Sequence, residues 1–262
     1  MKKNLEVPIE TRIGNALNQI EILDIHTHLY APSMGKMLLW GIDELLVYHY
    51  LVAEAFRWMN IPYSKFFALS KSEQAQYIWN ELFLHHSPIS ESCRGVITTL
   101  NMLGLDPRKR DLELIRKWYA ERSLEEHVDE TFALAGLKAV VMTNSPFDRE
   151  ETSYWEKGLQ QDPRFLTALR IDPLLLDYGN TIAYLREKGY NVAEALTQEV
   201  RDELFRFLSD WADKLNPLYL MVSLPPEFSY QVETSRHKML SKVILPFCRE
   251  RGLPFAMMCG VT

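Results

Sequence analysis

The stretch KAVVMTN, residues 138–144, decides the fold. From Ala139 to Met142 it is apolar without alternation, the pattern of a strand buried on both faces inside a parallel sheet rather than one with a wet side. Runs of the same character recur at ILDIH (22–26), RFLTALRI (164–171), LYLMVSL (218–224) and PFAMMCG (254–260). Helical segments separate the later runs: YGNTIAYLREKGY, AEALTQEVRDELFRFLSDWADKL and RHKMLSKVILPFCRERG. Strand and helix take turns, so the class is α/β with a parallel sheet.

The first interval breaks that rhythm. The residues between the runs at 22–26 and 138–144 read as helices, two of which open on capping boxes, Ser70 with Glu73 and Ser123 with Glu126. Gly136 suits the C-cap of the second. The expectation is a single barrel domain over 1–262 with a helical insertion, 34–135, after strand 1. DPRKRD (106–111) reads as a charged surface turn between helices. A closed (β/α)8 barrel, the TIM-like architecture, needs eight strands, and five are visible. The last run is followed only by CGVT, which would leave an apolar edge uncovered. The sequence is therefore expected to cover about the first five strands of a longer barrel.

Composition narrows the functions. With 262 residues, 47% hydrophobic and 24% charged, the chain can bury a sizeable core. Its net charge of -6 is spread over interspersed residues, and no basic cluster is dense enough to follow a phosphate backbone, which argues against nucleic acid. The start, MKKNLEVPIETRIG, lacks the apolar stretch of a signal peptide or membrane anchor. Cys93, Cys248 and Cys259 are odd in number and far apart, as befits reduced thiols. A cytoplasmic protein without membrane partners is expected.

The chemistry is concentrated in EILDIHTHLY (21–30). Residues two apart in a strand face the same way, so His26 and His28 present two imidazoles together, the commonest side-chain ligands for Zn²⁺ and similar ions. Asp24, in register with them, is a candidate to orient the rings. A bare H-x-H is more often two hydrogen-bonded histidines. Here it follows an apolar strand at the C-terminal edge, where barrel sites are built, and that favours metal. A catalytic sphere ordinarily takes a third protein ligand. His85, His86, His127 and His237 all fall in helical segments, and none stands at a strand end.

Other polar residues are less decisive. DELLVYHYLVAEAFRW (43–58) reads as one apolar helix carrying Tyr48, His49 and Tyr50, compatible with simple packing. Arg170 closes a buried strand and must find an anion: a substrate carboxylate held bidentately, or an ion pair with Asp172 or another acid, serves equally. SLPPEF and TNSPF are loops placed for a site without naming a chemistry. Gly-rich phosphate loops, a G-x-S-x-G elbow and paired Cys motifs are absent from the sequence.

Taken together, DIHTHL, LLWGIDELLVYHYLVAEAFRW, SCRGVITTLNMLGLD, VVMTNSPFD, ALRIDPLL, VSLPPEF and LPFAMM resemble, in order, the segments of the uronate isomerases (glucuronate isomerases) of the amidohydrolase superfamily. The resemblance implies a distorted (β/α)8 barrel of the metal-dependent hydrolase type with a helical insertion after the first strand. It also implies aldose–ketose isomerisation of hexuronates, D-glucuronate to D-fructuronate and D-galacturonate to D-tagaturonate, through a cis-enediol. By position, His26 and His28 match metal ligands, with Zn²⁺ the expected ion. His49 and Tyr50 match a substrate-contacting pair, and Arg170 an arginine of the substrate pocket; His49 or Tyr50 is expected to shuttle the proton. The implied partner is a small hexuronate, with room for a homo-oligomer. Family members continue past this length, with a metal-binding Asp and a substrate-binding Arg near the last strand, and no residue here matches either. The alternatives are a metal-dependent hydrolase of the same superfamily, which would use the H-x-H to activate hydroxide, and a non-catalytic truncated chain.

Overall fold

The computed structural model describes residues 7–17, 19–160 and 162–259. Five parallel strands form one sheet in chain order: β1 (Ile22–Thr27), β2 (Leu137–Asn144), β3 (Phe165–Arg170), β4 (Leu220–Leu224) and β5 (Phe255–Cys259). Each apolar run of the sequence becomes one of them. Gly260 of the last run, and the residues after it, lie outside the described residues, as do the first six of the N-terminal stretch. The chain divides into two compact units, one holding the sheet and the other comprising Gly35–Gly136.

The sheet unit begins with α1 (Ile9–Leu17), a helix the sequence reading did not anticipate. In the sheet, Val141 pairs with Leu166 and Arg170 with Met221. Since side chains alternate along a strand, Val141, Ala168, Arg170, Met221 and Ser223 share one face. That face is concave. The Tyr219 hydroxyl donates to the Ile25 carbonyl, although β1 and β4 are three strand spacings apart, roughly 14 Å in a flat sheet and beyond a tyrosine side chain. Curling of this kind makes the sheet a half-barrel, the arrangement of a partial (β/α) barrel. Val141, Ala168 and Met221 are fully buried within it.

The unit Gly35–Gly136 is helical: α2 (Ile42–Leu46), α3 (His49–Ala55), α4 (Tyr63–Phe66), α5 (Lys71–Trp79), α6 (Glu91–Met102), α7 (Leu112–Ala120) and α8 (Leu124–Ala135). Both capping boxes form, and Gly136 ends α8 in the left-handed region at φ 64°. The single helix expected over 43–58 is instead broken, with Tyr48 extended at ψ 139°. Leu46 and Leu51 explain why. Both are buried, yet residues five apart lie on different faces of a continuous helix, and the break turns both into the core with Phe66, Ile78 and Leu100.

Beyond β2 the sheet unit adds α9 (Arg149–Glu156), α10 (Asp172–Leu176), α11 (Tyr178–Glu187), α12 (Gln198–Leu215), α13 (Ser235–Met239) and α14 (Leu245–Arg251). The helix expected from Ala193 starts only at Gln198, because Thr197 caps it by accepting from the Val200 amide. Its buried stripe, Val200, Leu204, Phe207, Leu208, Trp211 and Leu215, recurs at helical spacing and contributes about 1.5–3 kcal/mol per large side chain. Between α13 and α14 the helix widens into a π-turn, Leu240–Ile244, just before Pro246, which lacks an amide hydrogen to donate. Cys93 and Cys248 are buried free thiols, and Cys259 is free and exposed. Among the described residues no helix is long and apolar enough to cross a membrane.

Candidate active site

Polar residues gather where the strands of the half-barrel end. At the end of β1 the His26 and His28 rings lie edge to face, 5.2 Å between centroids at 88°. The strand is irregular between Asp24 and Thr27. Local bonds pin this turn: Asp24 Oδ1 accepts from the His26 backbone amide at 3.0 Å, and Thr27 Oγ1 from the Leu29 amide at 3.2 Å. Asp24 thus grips the backbone of the turn that carries the two imidazoles. His26 is half-buried and His28 exposed. The pair is two-thirds of the protein ligands a catalytic zinc usually takes, and among the described residues no group of three His, Cys, Asp or Glu is placed to hold a metal ion. The described residues therefore do not furnish a complete metal site.

The end of β2 carries a network that the sequence reading missed. Glu151, on α9, is 1% exposed, and its carboxylate accepts four hydrogen bonds. Asn144 Nδ2 and Trp155 Nε1 donate to Oε1 at 2.8 and 3.2 Å, and the Ser145 amide and Tyr30 hydroxyl to Oε2 at 2.9 and 3.3 Å. Buried carboxylates persist only with such partners. Burial nonetheless outweighs the donors and holds the Glu151 carboxyl above the usual carboxylate range. The Tyr30 phenol is also raised, first by burial, then by the charges of Glu151 and Asp148, against Arg170. Tyr30 follows His28 by two positions, so this network ties the turn bearing the imidazoles to the end of β2. Its one legible signal was Asn144, a polar residue closing an apolar strand; Glu151 in DREETS looks like a solvated charge.

At the end of β3, Arg170 meets Asp172. Nε donates to Oδ2 at 2.9 Å and Nη2 to Oδ1 at 3.1 Å, with Ser223 Oγ 3.4 Å from Nη2. The Ser223 amide donates to Asp172 Oδ1 at 3.2 Å. Hydrogen bonding to Asp172 raises the Arg170 guanidinium further above its ordinary value, against the desolvation that lowers it. The ion pair with Asp172 weighed from sequence forms. It uses one edge of the guanidinium fork and leaves Nη1 without a hydrogen-bond partner among the described residues, so a second anion still has a donor.

His49 and Tyr50 open α3 in the helical unit, both exposed, with ring centroids 4.1 Å apart. Tyr48 completes the group, 4.3 Å from His49 and 5.7 Å from Tyr50. The structure thus brings together three pairs, His26 with His28, His49 with Tyr50, and Arg170 with Asp172. It describes no third protein ligand beside the first.

No family model matches the chain, and no curated protein does. Solved structures do. A uronate isomerase from Bacillus halodurans superposes with a TM-score of 0.93 at 48% identity, over 96% of this chain and 60% of that one. A uronate isomerase from Thermotoga maritima matches with a TM-score of 0.68 at 13% identity, over 95% and 61%. A glucuronate isomerase from Caulobacter crescentus matches with 0.61 at 12%, over 92% and 58%; these two likenesses speak to the fold alone. The chain spans about three-fifths of the length of the structures it matches. With nearly half its residues identical along almost its whole length to the first of them, the chain belongs to the uronate isomerase family.

Proposed function

We propose that this chain carries the N-terminal part of a uronate isomerase, converting D-glucuronate to D-fructuronate and D-galacturonate to D-tagaturonate. The observation that carries the proposal is the 48% identity to the Bacillus halodurans enzyme over 96% of this chain. In this reading the five strands open a (β/α)8 barrel of the metal-dependent hydrolase type, and the helical unit is an insertion after its first strand. The protein works in the cytoplasm.

Aldose–ketose conversion takes a proton from C2, leaves a cis-enediolate, and returns a proton to C1 as the C2 hydroxyl becomes a carbonyl. His49 or Tyr50 moves that proton: both are exposed, touch each other, and carry groups able to accept and donate it. Arg170 binds the sugar carboxylate through the edge that Asp172 leaves open, while Asp172 and Ser223 fix the plane of the guanidinium. His26 and His28 supply two of the ligands for a divalent ion, Zn²⁺ by the preference of imidazole. Their set is incomplete here, so no step is assigned to a metal.

Proton NMR with each hexuronate, with and without added Zn²⁺, on the purified chain and on a version extended to the length of the matched structures, tests the proposal. Replacement of the aldose anomeric signals by those of the ketose is expected of the extended protein. Conversion of amide or lactone substrates without uronate turnover would overturn it in favour of the hydrolase.

A further inference from the structure

Glu151 takes no part in the proton transfer assigned to His49 or Tyr50, yet the ends of β1 and β2 converge on its carboxylate. Its place is fixed from its own side of the sheet. Asp148 Oδ1 caps α9, accepting from the Glu150 and Glu151 amides at 2.8 and 3.0 Å. Asn144, Ser145 and Trp155, all in the segment from β2 to α9, already donate to the carboxylate. The fourth donor, the Tyr30 hydroxyl at 3.3 Å, comes from 121 residues away. Glu151 is held without it, so this bond constrains Tyr30 rather than Glu151.

Tyr30 belongs to the turn that carries His28. Pairing of β1 with β2 ends at Thr27, whose carbonyl accepts from Thr143 Oγ1 at 3.4 Å. His28 lies past that point and is exposed, yet its ring still meets His26 edge to face. The bond from the Leu29 amide to Thr27 Oγ1 closes the turn on itself and cannot fix it against the rest of the sheet. The Tyr30–Glu151 bond can, because it joins the far side of the turn to a carboxylate already anchored on α9. Groups that take part in a reaction keep their geometry when a partner with a locked position holds them. We propose that Glu151 is a positioning residue for the isomerisation, acting through Tyr30 to hold the turn that presents His28 beside His26. This role rests on the isomerase reading.

The first test is ¹H–¹³C NMR of the full chain labelled at histidine, with the His26 and His28 ring signals assigned through His26→Gln and His28→Gln. Rings in edge-to-face contact displace each other's proton signals upfield. Tyr30→Phe, which removes one half-buried hydroxyl and keeps the ring, should abolish most of that displacement, and Glu151→Ala should do the same. Glu151→Gln keeps an oxygen for the phenol and should restore it. Ser123→Ala, which weakens a distant helix cap, should leave both signals in place and so separates positioning from lost stability. The second test is steady-state kinetics of the protein extended to the length of the matched structures. There Tyr30→Phe should lower kcat about tenfold, less than the roughly 10²-fold cost of a 1 Å misplacement, with KM within about twofold of the parent. Unmoved histidine signals in Tyr30→Phe and Glu151→Ala, or a parental kcat in Tyr30→Phe, would overturn the proposal. An extended parent without uronate turnover would overturn the isomerase reading, and the role in catalysis with it, even if the histidine signals move as expected.

Discussion

Replacing Glu151 by alanine removes the acceptor that the ends of β1 and β2 share. Two buried donors, Asn144 Nδ2 and Trp155 Nε1, lose their partner at once, and the half-buried Ser145 amide and Tyr30 hydroxyl each lose a bond as well. Each stranded buried donor costs about 1–3 kcal/mol. Freeing a carboxylate from its desolvated position returns part of that sum, so the net loss is about 3–5 kcal/mol, the scale of breaking a buried charged network. Glu151→Gln should cost less, about 1–2 kcal/mol. If its amide nitrogen takes the Oε1 position, the Asn144 carboxamide can turn over and offer Oδ1, which lacks a partner among the described residues, leaving Trp155 as the main loser. The assay is urea unfolding followed by circular dichroism. A Glu151→Ala variant within about 0.5 kcal/mol of the parent, the range of neutral surface changes, would refute the reasoning, as would glutamine costing more than alanine. Because burial raises the folded-state Glu151 value above 4.5, its linked stability is complete below that pH and lost as pH climbs through the folded value; the alanine variant should lack this trend.

His127 carries the opposite dependence: packed among Trp40, Tyr119 and Trp118, it is held below 6.5 first by burial. Stability from this site should be full above that pH and fall as pH drops through the folded value, and His127→Phe should flatten that component of a pH series of melting curves. Ser123→Ala removes one capping box and should cost about 1 kcal/mol by chemical denaturation. In protein competent for turnover, His49→Ala and Tyr50→Phe should each lower kcat by roughly 10², the usual weight of acid–base catalysis; near-parental rates in both would remove them from the reaction.

The strands were legible as unbroken apolar runs; β2, β3 and β4 are buried as such runs imply, whereas β1 and β5, at the two edges of the sheet, are largely exposed or half-buried. Capping boxes were legible because their chemistry is local, three residues from end to end. The break at Tyr48 was not, since it is imposed by tertiary burial of Leu46 and Leu51 rather than by a local breaker. Strand alternation brought His26 and His28 together on paper; in the structure the rings do meet, but His28 stands one residue past β1, after the irregularity between Asp24 and Thr27. The Tyr30–Glu151 bond joins residues 121 apart in the chain, and no spacing rule connects them. Arg170 shows a middle case: its need for an anion was evident, while Asp172 as the partner depended on where the chain turns after β3.

The central claim is proton transfer between C2 and C1 of a hexuronate, and the most direct measurement is deuterium incorporation during turnover in D₂O, read by NMR on D-glucuronate and its product. The account predicts ketose formation with deuterium entering at C1 of the product and, on reversal, at C2 of the aldose. Ketose formed with the C2 hydrogen carried wholly to C1 and no solvent deuterium, in conditions where a histidine or tyrosine proton exchanges freely, would contradict a proton shuttle through His49 or Tyr50.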